Sequence, residues 1–280
     1  MTDLQKCELS LLLSFLEVCE RLGLRYYLAC GSALGAVKYG GFIPWDDDVD
    51  VAMPREDYEL FLAQAPALLP GHLFLQNYRT DPGFPQIFSK LRDSRTTCIE
   101  KSTASLPIHQ GISLDIFPLD GYPAGKWEQL RLELGKKWYQ HLLGAAFAPP
   151  KGIFRRLEYR LKRLLGLHRR TARIAQRYDA LLRRYPAETA ALWCNHGSWQ
   201  GRREYAPREQ YGNGTIRSFE GIPVRVPLQY QAYLTQKYGN YRADPPKDRQ
   251  ISHHRYALVD CERPYTHYLT PQTVKIDHIL

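Results

Sequence analysis

The chain has 280 residues, 44% of them hydrophobic, enough to bury the core of one large domain or two small ones and to exclude intrinsic disorder as the starting expectation. Its six cysteines, Cys7, Cys19, Cys30, Cys98, Cys194 and Cys261, lie far apart without C-x-x-C spacing, which fits buried free thiols and argues against a disulfide framework or a zinc site. The net charge of +9 is uneven, because residues 151–184 hold twelve Lys and Arg against Glu158 and Asp179 while the remainder is close to neutral.

From the N-terminus, Leu9, Leu12, Leu13, Leu16 and Cys19 recur at helical spacing between Asp3, a candidate N-cap, and Gly23, a helix stop, so a helix is expected over residues 3–22. Leu24–Ala29 is β-prone and runs into Cys30-Gly31-Ser32, after which the small residues of Ala33–Lys38 suit a short, closely packed helix. The next stretch, Gly41-Phe-Ile-Pro-Trp-Asp-Asp-Asp-Val-Asp-Val-Ala-Met-Pro54, alternates acids with valines in the manner of a strand with one buried face. Pro54 is placed to open a helix containing Tyr58, Leu60 and Phe61. Gln86–Asp93 and Gly111–Pro118 read as two more strands. Trp127, Leu130, Leu132 and Leu134, then Ile153, Leu157, Leu161, Leu164 and Leu165, mark two helices separated by Pro149, Pro150 and Gly152. A hairpin over Ser218–Val226 and a helix over Leu228–Tyr238 follow, so the fold class expected is α/β (α+β). No segment approaches the roughly 18 apolar residues of a membrane span, and no basic region precedes an apolar stretch at the N-terminus. A cytoplasmic protein, or one peripheral at the inner face of a membrane, is expected.

The acids carry the chemistry. On a strand, Asp48 and Asp50 project to one face with Cβ atoms about 7 Å apart. Two carboxylates so placed repel unless a cation lies between them, and a hard ion such as Mg²⁺ takes carboxylate oxygens while keeping positions for water and substrate phosphates. The competing reading is a solvated acidic turn, for which Asp46 and Asp47 are unremarkable. A calcium loop is disfavoured, because counting from Asp46 its sixth position is Val51 and its twelfth Asp57. The Gly31-Ser32 turn can offer backbone N–H groups and a hydroxyl to a phosphate. Asp115, between Leu114 and Ile116, needs a cation or hydrogen-bond partners; it reads either as a third metal-side carboxylate or as a buried structural acid. Lys90 and Arg92, two apart on an expected strand, are candidates for donor phosphates or else two exposed cations. His253 and His254 point apart on extended chain, so at most one of them would touch metal, phosphate or acceptor.

The run Ala29-Cys-Gly-Ser-Ala-Leu-Gly-Ala-Val-Lys-Tyr-Gly-Gly-Phe-Ile-Pro-Trp-Asp-Asp-Asp-Val-Asp-Val-Ala-Met-Pro-Arg-Glu-Asp-Tyr58 resembles the LicD family of phosphocholine transferases, related to the fukutin-type ribitol-phosphate transferases. The likeness continues in Lys90–Thr97, Gly111–Asp120, Phe219-Glu-Gly221, the Tyr233–Tyr241 stretch and Pro245-Pro246 before His253-His254. It implies a nucleotidyltransferase-type mixed sheet flanked by helices in residues 1–122, with a helical and Tyr/Pro-rich region, 123–280, completing the same domain on the acceptor side. It further implies Gly31 and Ser32 as the phosphate-binding turn, Asp48 and Asp50 as ligands of one or two Mg²⁺ or Mn²⁺ ions, Asp115 as the third acid and Asp46 as an additional donor.

The activity so implied moves phosphocholine, or a similar phospho-alcohol, from CDP-choline or a related CDP-alcohol to a hydroxyl of a glycan precursor. That acceptor would belong to a lipopolysaccharide or teichoic acid, lipid-linked or free, and CMP would leave. The long interval between Ser32 and Asp48 departs from the general nucleotidyltransferase signature and argues against carrying over template-directed activities. A nucleotidyltransferase that leaves the nucleotide on its product is the nearer alternative. The remoter one is a non-catalytic basic protein binding nucleic acid or lipid, which the Asp48, Asp50 and Asp115 set opposes; no nucleic-acid partner is expected. Residues 151–184 read either as a helix packed on the core with a solvated basic face or as a dock for an anionic membrane surface. Nineteen tyrosines and five tryptophans could supply a cation–π cage for choline, at positions that the sequence does not pick out.

Overall fold

The structure, a computed structural model, describes residues 1–268 apart from 148, 151, 199 and 253. Helix α1 (Asp3–Leu22) opens on Thr2, whose hydroxyl accepts from the Gln5 N–H while the Gln5 side chain accepts from the Thr2 N–H. This reciprocal capping box makes Thr2, not Asp3, the N-cap. The buried stripe of α1 is Gln5, Glu8, Leu11, Leu12, Phe15, Val18 and Cys19, whereas Leu13 is exposed. Of the expected stripe Leu9, Leu12, Leu13, Leu16 and Cys19, Leu12 and Cys19 are therefore buried, and the inward face is turned toward Glu8, Leu11 and Phe15.

After β1 (Tyr27–Leu28), α2 (Cys30–Lys38), β2 (Asp50–Pro54) and α3 (Arg55–Gln64) come β3 (Leu73–Gln76), β4 (Ser89–Asp93), β5 (Thr97–Glu100) and the long β6 (Ser113–Tyr122). The main sheet runs β1-β2-β6-β4-β3. It is mixed, with β2 parallel to β6 and the other pairs antiparallel. Val51 and Ile116, paired across β2 and β6, are fully buried, as are Leu91 and Leu114, so the sheet centre is covered on both faces. The expected strand Gly41–Pro54 is shorter than its alternation suggested: Asp46, Asp47 and Asp48 lie in the approach loop, and pairing begins at Asp50.

Beyond β6 the chain forms α4 (Lys126–Leu143), α5 (Ile153–Leu164) and α6 (Thr171–Leu182), then β7 (Leu192–Asn195) and β8 (Tyr205–Pro207). Strand β7 joins β6 along the edge that β4 has left, with Leu119 opposite Asn195. The C-terminal half thus contributes strands to the same sheet. A short α7 (Arg208–Tyr211) leads to the hairpin β9 (Thr215–Phe219) and β10 (Ile222–Val226), then α8 (Tyr230–Tyr238) and β11 (Tyr256–Asp260). Strand β11 pairs with β5 and brings Ser252, His254 and Tyr256 over the acidic loop. The six cysteines are free thiols, three of them buried.

In residues 151–184 the two helices behave differently. Helix α6 does pack, through Ile174, Ala175, Tyr178 and Leu182, but α5 buries none of its residues. On α4 the inward residues are Leu132, Lys136 and Leu143, whereas Trp127, Leu130 and Leu134 face outward.

Candidate active site

Three adjacent strands put one residue each into a single row. Asp50 of β2 pairs with Asp115 of β6, and Asp115 pairs with Lys90 of β4. Directly opposed residues share a face, so the two carboxylates and the ammonium stand side by side; Lys90 Nζ lies 3.0 Å from Asp115 and 3.3 Å from Glu100. The partner that Asp115 needed on its apolar strand is Lys90. Those two carboxylates hold the Lys90 ammonium above its ordinary value against the opposing effect of burial, and Lys90 in turn draws Glu100 down to about 2.

The acidic loop is held from three sides. The Asp50 N–H donates to the buried Ser32 hydroxyl at 2.8 Å, so Ser32 anchors the start of β2. Gln5 of α1 donates to the Asp46 carbonyl at 2.9 Å. Ser252 and His254, delivered ahead of β11, bind the Asp47 carboxylate at 2.7 and 3.0 Å, and His254 Nε2 lies 3.7 Å from Asp48. Asp47, Asp48 and His254 each bring a ligand atom within 4.8 Å of one another. The Gly40–Phe42 corner is stapled by Glu220, whose N–H donates to the Gly40 carbonyl and whose carboxylate accepts from the Phe42 N–H. A Cβ on Gly41 would lie 2.0 Å from that carboxylate.

Electrostatically the site is overloaded with negative charge. Burial, then the neighbouring carboxylates, push Asp48 and Asp50 well above the usual carboxylate range. Asp46 is raised chiefly by burial. Asp47 is the exception: burial raises it, but hydrogen bonds from His254 and Ser252 more than offset that. His254, lowered by burial but raised more by Asp47 and Asp48, titrates at about 9. A further acid, Glu8 of α1, is 2% exposed and pushed well up by burial and by Asp48, Asp47, Asp115 and Asp46, in that order. Its Oε2 has no partner among the described residues. This set of crowded, hard oxygen donors with an orphaned buried carboxylate oxygen fits a divalent cation of the Mg²⁺ type.

The remaining expected residues divide. Gly31 does not need a left-handed backbone; that conformation falls on Cys30, with φ 47. Gly31 is required instead because a Cβ there would lie 2.4 Å from Asp46 Oδ2. Lys90 belongs to the acidic row, but Arg92, expected beside it for donor phosphates, is buried and donates to Gln76 and to the Gly111 carbonyl at 2.7 and 2.6 Å. His253 lies outside the described residues, and His254 is the histidine on the loop. Glu8 and Glu100 were missed. Glu8 was legible as an acid at a core position, since Leu4, Glu8, Leu11 and Phe15 continue one helical stripe, whereas Glu100 reaches the site only through strand pairing.

Comparison with known proteins agrees with this geometry. Residues 23–120, which carry Gly31, Ser32, Lys90 and the aspartates, match the family described as LicD/FKTN/FKRP, nucleotidyltransferase domain. The chain is 27% identical over 256 residues to the lipopolysaccharide cholinephosphotransferase LicD of Haemophilus influenzae, covering 88% of this chain and 92% of that protein. It is 52% identical over 40 residues to the ribitol 5-phosphate transferase FKRP of Homo sapiens, where the match spans 14% of this chain and 8% of the relative. An uncharacterized protein of Rickettsia prowazekii is 40% identical over 48 residues, 17% of this chain and 18% of that one. Residues 23–120 therefore carry a nucleotidyltransferase domain of the LicD/FKTN/FKRP type, and the chain as a whole is similar to a transferase.

Proposed function

We propose that this enzyme transfers phosphocholine, or a closely similar phospho-alcohol, from a CDP-activated donor to a hydroxyl of a cell-surface glycan such as a lipopolysaccharide precursor, releasing CMP. The observation that carries the reading is the convergence of Asp46, Asp47, Asp48, Asp50, Asp115 and Glu8 at one end of β2 and β6, in a chain aligned along 92% of a cholinephosphotransferase. Asp48, Asp50 and Asp115 would hold one or two Mg²⁺ or Mn²⁺ ions, with Asp46 and Glu8 as further donors. Such ions, when bound, neutralise charge on the donor diphosphate.

The chain's own residues do the rest. The Cys30 N–H is taken by the Tyr233 hydroxyl at 3.1 Å, so the N–H groups of Gly31 and Ser32 are the donors that the N-terminus of α2 can turn toward phosphate oxygens. The acceptor hydroxyl oxygen attacks the phosphorus that carries the alcohol, and the bond from that phosphorus to the bridging oxygen breaks. CMP leaves with the bridging electrons. The acceptor proton passes to Asp115 or an adjacent carboxylate, and Lys90, 3.0 Å away, holds Asp115 in place. His254 fixes Asp47, and through it the loop that presents Asp48.

A second reading, in which the nucleotide is retained on the product, uses the same residues and differs only in the products. Incubation with CDP-choline, other CDP-alcohols and nucleoside triphosphates, each with a lipooligosaccharide acceptor and Mg²⁺, separates the two by mass spectrometry. CMP with a phosphocholine-sized addition to the acceptor is the expected result. Pyrophosphate with a nucleotidylated acceptor would replace this function with the second.

A further inference from the structure

We infer that the outer faces of α4 and α5 form a docking platform for an anionic lipid bilayer, a reading that stands apart from the transferase chemistry. Ile153, Phe154, Leu157, Leu161, Leu164 and Leu165 are each more than half exposed. They occupy one sector of α5, a helix with no buried residue, whose attachment to the body runs through Lys162, bonded to the His141 carbonyl at 2.8 Å.

Helix α4 repeats the arrangement. Trp127, Leu130, Leu134 and Trp138 form a narrow stripe, 48–79% exposed, while Leu132 and Lys136, each two positions from Leu134 and so about 200° round the helix, face the core. One apolar face suffices to pack α4, and the second has no partner among the described residues. The stripes adjoin, because His141, which stacks on Trp138, contacts Glu158 on the border of the α5 sector.

Charge selects the occupant. Around the α5 stripe stand Arg155, Arg156, Arg160 and Arg163, and the only acid in Ile153–Arg170, Glu158, is tied to Lys162 and His141. A second copy of the chain would bring these cations against their own kind, whereas anionic headgroups neutralise them and the hydrocarbon below takes the leucines. Exposed tryptophans at both ends of the α4 stripe suit the headgroup level. Behind the platform, the inward end of α4 abuts the flank of the site. Leu143 and Phe147 line a cavity of about 130 Å³ with Ile87 and Gly197, and Gly197 abuts the rings of Phe117 and of Phe88, which lies under Lys90. No described helix is long and apolar enough to cross a membrane, so contact through this surface would be peripheral.

The test is vesicle co-sedimentation of the whole protein, with tryptophan emission read in parallel. Phosphatidylglycerol vesicles should bind at low salt and release at high salt, and phosphatidylcholine vesicles should bind at least tenfold more weakly, with a blue shift that disappears in Trp127→Phe/Trp138→Phe. Replacing Arg155, Arg156 and Arg163 together by Glu should weaken binding roughly a hundredfold or more, each cation being worth about a factor of five. Leu157→Glu/Leu161→Glu should abolish it at either salt, and because both side chains are exposed the fold and turnover of a soluble acceptor should be unchanged. Equal, negligible binding to both vesicle types would overturn the inference. So would a wild-type dimer that Leu157→Glu/Leu161→Glu converts to monomer without any vesicle binding, which would assign the face to a second copy. Failure of soluble-acceptor turnover in the wild type would count against the proposed function alone.

Discussion

Asp115 and Asp120 stand five residues apart on β6, and the protein treats them oppositely. Asp120, 1% exposed, is gripped by Arg55 through two 2.7 Å hydrogen bonds, and the same guanidinium reaches Asp179 at 3.0 Å. Asp115 shares Lys90, its one close cation among the described residues, with Glu100, and stands in register with Asp50 beside Asp48, Asp46 and Glu8. At one end of the strand burial is matched by geometry and charge; at the other, charge accumulates beyond what the residues can neutralise. A buried ion pair that is complete is part of the architecture, while an uncompensated set of carboxylates is a cost the fold keeps for a ligand.

Breaking the comparison at its acidic end should have the largest effect. Asp48→Asn and Asp50→Asn should each lower transfer at least a hundredfold, about 2.7 kcal/mol of barrier, while melting temperature in EDTA equals or exceeds that of the wild type, because an amide relieves the repulsion. Retention of more than a tenth of wild-type turnover would remove that residue from the essential set. At the compensated end the outcome inverts. Asp120→Asn should leave the chemistry of a folded sample intact but cost about 1–3 kcal/mol of stability, because Arg55 keeps Asp179 yet loses its two-fold grip on a buried carboxylate, measured by urea unfolding.

Glu8→Gln sharpens the contrast, since it removes a charge with an orphaned oxygen: stability in EDTA should rise, and the stabilisation gained on adding Mg²⁺ should shrink. Unchanged values in both conditions would make Glu8 a passive core residue. The pH profile of the metal-free protein gives a smaller effect. His254 is raised from 6.5 to about 9, so its stabilising contribution is fully present below pH 6.5 and lost as pH rises through 9. His254→Gln should flatten the decline across that window. Asp48, Asp50 and Glu8, also raised, make the metal-free fold weaker as they ionise with rising pH, so Mg²⁺ should stabilise most at neutral and alkaline pH. The smallest change is Ser32→Ala, about tenfold in turnover, because the N–H groups of α2 survive and only the anchor of Asp50 is lost. A loss as deep as that of Asp50→Asn would place the hydroxyl itself in the chemistry.

The local order of elements was open to reading, because periodicity, caps and breakers act over a few residues: the first helix and the hairpin lie where the pattern puts them, whereas Gly31 and Ser32 fall inside the first turn of α2 and Asp46 to Asp48 precede β2. The types of the site residues were open to reading too, since carboxylates crowded into an apolar context declare their need for a cation. Tertiary structure alone decided which of them meet. The Asp50–Asp115–Lys90 row depends on the register of three strands drawn from residues 50 to 119, and strand register is a long-range property that side-chain alternation leaves open by any even shift. Arg92 obeys the same alternation as Lys90 yet ends in a structural role, because Gln76 and the Gly111 carbonyl reach it first. The leucines of α5 have the same helical period as those of α1. Only the position of the neighbouring elements determined that one stripe was covered and the other left to solvent.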